Sequence, residues 1–397
     1  MTPLCVMIVA VEASSDALGA ALAQALRRRL GDHVRFVGVG GVRLANEGLV
    51  SPFDLSEISI VGIVEGVLAY GRIMRRVAET ADLAQREKPD LVVLIDSWGF
   101  TLRVAIAIRK RNPKLLLVKY VGPQVWAWRS GRARTLARAV DHLLSTQAMD
   151  APFYEKAGLP TTFVGNPALQ TNLQDADGAR LRARLGIPSQ DQVLLILPGS
   201  RPSEINRMMP SFEAAAALLK AQLPNLHVVV PAAETVRERV VGRVAGWPFR
   251  AHVTQGETEK YDAMKAATLA LACSGTVTTE LALAGCPMVV GYKVDRLTYW
   301  AAKVLVKLKY ATLFNIAANR EVAPEFLQYD CTPTALAQSL SALLENPQRR
   351  ATQIQDQNAA LLLMGRGGPD PAEAATDVLL RLVADAQSTA PHHAATT

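Results

Sequence analysis

The run VLLILPGSRPSEINRM, residues 193–208, joins five consecutive apolar residues to a glycine turn and then to a helix-forming segment. This order is typical of a strand in a parallel sheet that leads directly into a helix. Gly199 permits a close turn, Ser200 offers a hydroxyl and an amide, and the helix start offers unpaired N–H groups. Arg201 adds a forked cationic donor suited to a diphosphate. The junction therefore predicts an anion site, with a plain capped helix start as the alternative.

The same alternation of apolar runs and helix-period segments extends over the whole chain, which predicts βα units around parallel sheets. In the first half the predicted strands are Cys5–Val11, Arg35–Val39, Leu91–Ile95, Leu115–Val121 and Thr162–Val164. A second set begins at Val193 and continues through LHVVVPA, ALACSG and PMVVGYK. We therefore predict an α/β protein with two doubly wound, Rossmann-like domains.

The domain boundaries follow from length and polarity. A chain of 397 residues exceeds one ordinary core. Residues 171–192 are polar, lack a strand-like run and are predicted to form a linker between domains 1–170 and 193–364. The terminal helices, from about residue 365, are expected to pack back on the first domain. Residues 387–397 are expected to be a disordered tail.

The composition narrows the possible partners. Lys and Arg number 43 against 36 Asp and Glu, so the net charge of +7 favours phosphates, anionic lipids or nucleic acid. The chain shows no nucleic-acid signature such as finger spacing, an RNP-like strand or a long basic block. No apolar run approaches the length of a membrane span, and the N-terminal run is typical of a strand rather than a leader. These features predict a cytoplasmic protein, and the scattered cysteines predict buried free thiols.

A second strand–helix junction, ACSGTVTTELALAGCPMVVGY at residues 272–292, has the same order of apolar strand, glycine turn and helix start as the first. Ser274, Gly275 and Thr276 open a helix with amides and hydroxyls, and Glu280 lies one turn further on the same face. A carboxylate there can accept hydrogen bonds from both hydroxyls of a ribose. A capped core helix with a solvated Glu280 is the alternative.

These two junctions, together with VWAWR at residues 125–129, FN…REVAPEFLQ at 314–328 and EASSD at 12–16, resemble the lipid-A-disaccharide synthase family. The resemblance implies the GT-B glycosyltransferase architecture, with two domains facing a cleft, UDP-sugar in the C-terminal domain and acceptor in the N-terminal domain. It implies transfer of 2,3-diacylglucosamine from UDP to the 6-hydroxyl of 2,3-diacylglucosamine 1-phosphate, giving the β-1,6 disaccharide.

The resemblance also implies which residues bind the two substrates. Those implied in donor binding are Gly199, Ser200, Arg201, Glu204, Ser274, Gly275, Thr276, Thr279, Glu280 and Asn315. Those implied in acceptor or lipid contact are Glu12, Ser14, Asp16, Trp126 and Arg129. For the tryptophan segment, an aromatic wedge between domains is the alternative.

Asp96 is the candidate catalytic base. An inverting transfer needs one base for the acceptor hydroxyl, and Asp96 follows the predicted strand LVVLI, where open α/β sheets place their ligands. It matches the strand-end aspartate of the family, and burial would have to raise its pKa. A helix N-cap is the alternative role. We expect no metal or cofactor, since Asp175 and Asp177 fit a helix cap better than a metal site.

The acceptor half departs from the family pattern. Val11 and Ser15 replace glycines around EAS, and residues 95–101 read IDSWGFT instead of a sequence of the type IDxPDFN. Two alternative hypotheses therefore stay open. One is an enzyme, a UDP-sugar transferase with another acceptor; the other is a non-catalytic nucleotide-sugar or glycolipid binding protein. A dehydrogenase is disfavoured because VGVGGVR lacks the third glycine of the dinucleotide fingerprint.

Two basic, apolar segments, Ile58–Arg76 and Leu297–Tyr310, are typical of interfacial helices, although ordinary packed helices would look similar. They predict peripheral association with the anionic cytoplasmic face of the inner membrane. The sequence leaves the oligomeric state open.

Overall fold

The computed structural model describes residues 3–55, 70–126, 131–295, 299 and 309–388. The chain divides into two compact units. The first comprises Met1–Pro167 with Gly368–Thr397, and the second comprises Ala168–Gly367. The polar stretch 171–192, predicted as a linker, belongs to the second unit, because Leu181 and Ile187 are buried in a core of that unit.

The first unit is built on a parallel sheet with the order β2-β1-β3-β4-β5-β6. Its strands are β1 Leu4–Val9, β2 Val34–Val39, β3 Leu91–Ile95, β4 Leu116–Tyr120, β5 His142–Ser145 and β6 Thr161–Phe163. The chain runs from β1 to β2 on one side and returns to β3 on the other, so the strand order reverses between β1 and β3. Open α/β sheets bind their ligands at such a switch point.

Helices cover both faces of this sheet, since alternate residues of β1 enter two different cores. The helices of the first unit that precede the crossing to the second are α1 Ala13–Leu30, α2 Val42–Asn46, α3 Tyr70–Glu87, α4 Trp98–Arg111, α5 Gly131–Ala137 and α6 Ala151–Glu155. The strands are apolar on both faces because both faces are buried, which explains their continuous hydrophobic runs.

The second unit repeats this plan, with the strand order β12-β11-β10-β7-β8-β9. Its strands are β7 Val193–Leu197, β8 His227–Ala232, β9 Ala251–Gln255, β10 Leu269–Cys273, β11 Met288–Tyr292 and β12 Glu325–Leu327. Its helices are α7 Gly178–Leu185, α8 Pro202–Gln222, α9 Arg237–Val244, α10 Glu257–Ala266, α11 Thr276–Leu283, α12 Leu313–Ala318, α13 Pro333–Leu344 and α14 Pro347–Leu363. The strand order reverses between β7 and β10. The predicted α/β class with two doubly wound sheets is confirmed.

The last helix, α15 Pro371–Ser388, belongs to the first unit and packs on α1. Its Ala375 and Leu379 are fully buried in the same core as Leu22 and Leu26 of α1. Outside this core, Arg28 Nη2 lies 2.7 Å from Glu373 Oε1. The apolar contacts set the position of α15, because an exposed ion pair of this kind contributes little.

Parts of three predictions fall on residues that the structure does not describe. The first is the pair of segments predicted to contact the membrane, most of which is not described. The others are Arg129, predicted in acceptor contact, and residues 389–397 of the predicted tail. Within the described ranges, no helix combines the length and the apolar character that a bilayer span requires. The four cysteines lie buried as free thiols.

Candidate active site

A pocket of about 610 Å³ opens at the carboxyl ends of the strands of the second unit. The loops after β7 and β10, which flank the switch point, supply much of its wall. It brings together most of the predicted donor residues, namely Gly199, Ser200, Arg201, Glu204, Ser274, Gly275, Thr276 and Glu280. Glu234, Glu257, Lys260 and Tyr292 complete the polar part of the wall and were not predicted.

The first junction is held by a carboxylate of the chain itself. The amides of Ser200 and Arg201 donate to Glu204 Oε2, over 2.9 and 3.2 Å. Gly199 has a φ of +113°, and a Cβ there would lie 2.4 Å from Glu204 Oε2. Only glycine fits this loop. Because Glu204 accepts from these two amides, the exposed Arg201 side chain is a cationic donor of this junction that remains open to the pocket.

The second junction is more open toward the pocket. The Thr278 amide and hydroxyl both donate to the Gly275 carbonyl, over 3.2 and 2.7 Å. The amides ahead of Thr278 have no acceptor within α11, as at any helix start. A Cβ at Gly275 would meet no atom within 4 Å, so the loop leaves free space on that side. Helix α11 therefore presents its positive end to the pocket.

Glu280 lies one turn further along α11 and forms an ion pair. Its Oε2 is 2.9 Å from Lys260 Nζ, and the two side chains are only 16 and 23 % exposed. Burial lowers the pKa of Lys260, but the charge of Glu280 and the hydrogen bond to it outweigh this effect, so the pKa is raised overall. Lys260 Nζ also lies 4.5 Å from the centroid of the Tyr261 ring. The ion pair holds the Glu280 carboxylate at the pocket wall.

Two predicted donor residues do not line the pocket. Thr279 lies on the buried face of α11 and is fully buried. Asn315 is also fully buried, where it accepts from the Val322 amide over 2.7 Å and donates to Glu325 Oε1 over 2.8 Å. Asn315 thereby links α12 to β12 and to the residues just before that strand, so its role in the structure is to hold these elements together.

In the first unit, Asp96 and Glu12 follow the two strands that flank the switch point, β3 and β1. The Ser97 hydroxyl donates to Glu12 Oε1, which links the two loops. Burial is the main cause of a raised pKa at Asp96; the Glu12 charge raises it further, and the charge of Lys119 opposes both. The N-cap of α4 is Ser97, not Asp96. Asp96 is therefore a half-buried carboxylate with an elevated proton affinity, as a general base requires.

Lys119, which the sequence analysis missed, lies beside Asp96 on β4. It is 2 % exposed, donates to the Asp96 carbonyl, and donates to Thr101 Oγ1 over 2.7 Å. Burial lowers its pKa to about 7, against the opposing charges of Asp96 and Glu12. A lysine within the otherwise apolar LLVKY strand was the available signal.

The remaining acceptor candidates have different environments. Asp16 is buried and accepts from the amides of Gly41, Arg43 and Leu44, over 2.7, 2.9 and 3.2 Å, so it caps α2. Ser14 is exposed at the start of α1. These two residues therefore differ, since only Ser14 has a side chain open to solvent.

Trp126 is half-buried and contacts a separate cluster formed by the buried residues Asp150 and Ser145. Its Nε1 donates to Asp150 Oδ1 over 2.7 Å, and Ser145 donates to Asp150 Oδ2 over 2.5 Å. Burial raises the pKa of Asp150 to about 6, although the two hydrogen bonds lower it. The Trp126 ring is thereby fixed at the entry to the undescribed residues 127–130.

Of the two carboxylates considered for a metal, Asp175 and Asp177, Asp177 is the N-cap of α7 and accepts from the Ala179 amide over 2.8 Å. Across the described residues, no cluster of three or more His, Cys, Asp or Glu side chains has the arrangement of a metal site.

Two doubly wound units, each with polar groups at the switch point of its sheet, define the class of two-domain α/β proteins that includes GT-B glycosyltransferases and sugar-nucleotide epimerases. A S. aureus protein, MnaA, solved with UDP, has a TM-score of 0.65 at 14 % identity and covers 98 % of this chain and 99 % of its own. UDP-GlcNAc 2-epimerase from Neisseria meningitidis, solved with UDP-GlcNAc, has a TM-score of 0.58 at 11 % identity, over 96 and 99 % of the two chains. These likenesses support the fold.

The family follows from sequence. A family model described as lipid-A-disaccharide synthetase matches residues 6–368. Lipid-A-disaccharide synthase of Rhodospirillum centenum is 39 % identical over 98 % of this chain and 99 % of its own length. The enzyme of that name from Paramagnetospirillum magneticum is 40 % identical over 95 and 97 %. The chain belongs to the lipid-A-disaccharide synthetase family, and the resemblance seen in the sequence is confirmed.

Proposed function

We propose that this chain is a UDP-sugar hexosyltransferase that forms the lipid A disaccharide. It transfers 2,3-diacylglucosamine from UDP to the 6-hydroxyl of 2,3-diacylglucosamine 1-phosphate. The observation that carries the proposal, within this family, is that both glycine- and hydroxyl-rich junctions of the second unit line one pocket.

The donor is proposed to bind in that pocket through charge complementarity. The positive end of α11, with the Ser274 and Thr276 hydroxyls, faces the diphosphate, and Arg201 adds an exposed cation. The Glu280 carboxylate accepts hydrogen bonds from the ribose hydroxyls, and the ion pair with Lys260 holds that carboxylate in place. These groups also stabilise the negative charge on UDP as it leaves, because they bind the diphosphate most strongly when it carries that charge.

Asp96 is proposed to act as the base. As it removes the proton of the acceptor 6-hydroxyl, the oxygen attacks the anomeric carbon of the donor. The bond from that carbon to the UDP oxygen breaks, and its electron pair leaves with UDP. The raised pKa supports this assignment, since a carboxylate of ordinary pKa would be a poor base at neutral pH.

The cytoplasmic face of the inner membrane is the proposed location. A net charge of +7 favours anionic headgroups, and both proposed substrates carry acyl chains that partition into a bilayer. The segments Ile58–Arg76 and Leu297–Tyr310 are the candidate contacts.

The test is a transfer assay with purified protein and both acylated substrates in detergent, following UDP release and the disaccharide by mass spectrometry. Asp96→Asn is expected to lower kcat by a factor of about 10²–10⁴. Asp32→Asn, an exposed aspartate of the same unit, is the matched control and should retain full activity.

UDP release that requires a different acylated acceptor would favour the altered-acceptor hypothesis. Tight UDP-sugar binding without UDP release, with any acceptor, would instead favour a binding protein. Full activity of Asp96→Asn would remove Asp96 from the role of base.

A further inference from the structure

Lys119 is a buried cation of the first unit, and the proposed reaction does not use it. It stands in β4, where Leu117, Val118 and Tyr120 are fully buried. An ammonium in such surroundings loses several kcal/mol of hydration, so it persists only where close partners compensate. Its partners are the Asp96 carbonyl and Thr101 Oγ1.

The turn that these partners form is strained. Asp96 has a φ of 46° and Ser97 a φ of 42°, so two consecutive residues with side chains lie in the left-handed region. Each such residue costs about 1–2 kcal/mol relative to the right-handed conformation. Strand β4 holds this turn at two points, since the Asp96 amide donates to the Tyr120 carbonyl over 2.9 Å and Lys119 donates to the Asp96 carbonyl. The Thr101 hydroxyl also donates to the Asp96 carbonyl, over 2.7 Å.

We infer that Lys119 is a positioning residue for the proposed base: its ammonium fixes the left-handed turn that orients the Asp96 carboxylate and supplies the positive charge that this carboxylate faces. The inference rests on the proposed function of Asp96. It assigns to Lys119 no contact with substrate.

The charges around the Lys119 ammonium predict a change in the pH dependence of kcat when this charge is removed. The titratable groups that face Lys119 are Asp96 and Glu12, and both favour its charged form. In return, the Lys119 charge lowers the pKa of Asp96, against burial and the Glu12 charge. Without Lys119 the two raising effects remain, so the pKa of Asp96 rises. The acid limb of the kcat profile must then move to higher pH.

Two variants separate the electrostatic effect from the geometric effect. Lys119→Met keeps the length of the side chain and removes the charge. We expect kcat near pH 6, where the wild-type Lys119 ammonium is charged, to fall at least tenfold. The acid limb should move up by about one unit or more, the usual effect of a neighbouring charge. Thr101→Val keeps the charge but removes one acceptor of Lys119 and one donor to the Asp96 carbonyl. For it we expect a lower kcat with an almost unmoved acid limb.

The controls keep the inference distinct from the assignment of the base. Lys114→Met makes the same substitution at an exposed lysine and should change neither kcat nor its pH profile. UDP affinity, which belongs to the second unit, should stay unchanged in all three variants. If Lys119→Met does not melt cooperatively, Thr101→Val carries the test alone.

A wild-type kcat profile in Lys119→Met, or a wild-type kcat in Thr101→Val, would overturn the inference. Full activity of Asp96→Asn measured beside them would instead overturn the proposed base.

Discussion

Gly199→Ala tests whether the first junction of the donor pocket depends on a backbone that only glycine adopts. The new Cβ would lie 2.4 Å from Glu204 Oε2 and 2.6 Å from Glu204 Cβ, so the loop and the first turn of α8 cannot both stay in place. A side chain at a φ of +113° costs about 1–3 kcal/mol. Loss of the two Glu204 hydrogen bonds adds about 1 kcal/mol each, because water replaces them in part.

Together these effects predict a loss of about 3–5 kcal/mol in the free energy of unfolding of the second unit. For a domain of this size, such a loss lowers the melting temperature by about 10 °C. The assay combines differential scanning calorimetry with isothermal titration of UDP. UDP affinity should fall at least tenfold, because Arg201 follows the distorted turn.

The matched control is Gly242→Ala. This glycine lies in α9 of the same unit, and a Cβ there would meet no atom within 4 Å. A helix-interior alanine should stabilise the unit by about 0.5–1 kcal/mol. An unchanged melting temperature and UDP affinity in Gly199→Ala would refute both the steric argument and the place of this loop in donor binding.

Three further predictions address single carboxylates. Glu280→Gln should weaken UDP binding about tenfold or more, and should remove the preference for UDP over 2′-deoxy-UDP in titration calorimetry, because ribose hydroxyls prefer an ionised acceptor; a retained preference contradicts the ribose assignment. Asp150→Asn should flatten the pH dependence of stability. Since the folded pKa of about 6 exceeds the ordinary value of 3.8, the free energy of unfolding of the wild-type protein should fall by about 2 kcal/mol as pH rises from 4 to 6. Equal changes with pH in the unfolding free energies of both proteins, measured in urea, would exclude this. Asp16→Asn should destabilise the first unit by about 2 kcal/mol in urea, because an amide N–H₂ then faces a backbone N–H; a normal stability with a raised acceptor KM would show instead that Asp16 binds substrate, and Asp32→Asn at an exposed position is its control.

The fold was predictable because its signals are local. Each strand of a parallel sheet is buried on both faces, so its sequence is a short apolar run, and the turn after it needs glycine and hydroxyl residues. The two donor junctions carry both signals, and the pocket contains them. Glu204 was predicted to bind the donor, whereas in the structure its carboxylate accepts from the amides of Ser200 and Arg201, as a carboxylate at the third helical position can.

The rest depended on contacts between distant residues. Lys119 and Asp96 meet because β3 and β4 pair with Leu94 opposite Lys119, and no feature of either segment alone specifies that register. Thr279 and Asn315 belong to matching motifs, yet the helical phase turns their side chains into the core. A resemblance transfers a motif as a whole, whereas only the fold separates the residues that face a ligand from those that support them.

Helix α15 has a consequence for synthesis on the ribosome. The first unit is discontinuous, because its core includes Ala375 and Leu379 while the second unit is inserted at residues 168–367. During translation the early strands and α1 emerge first, and part of their apolar surface stays exposed until α15 has been synthesised. The inserted unit can complete its own core earlier. Nascent chains that stall before α15 should therefore be the preferred clients of chaperones, and the last helix sets the moment at which the molecule becomes resistant to proteolysis.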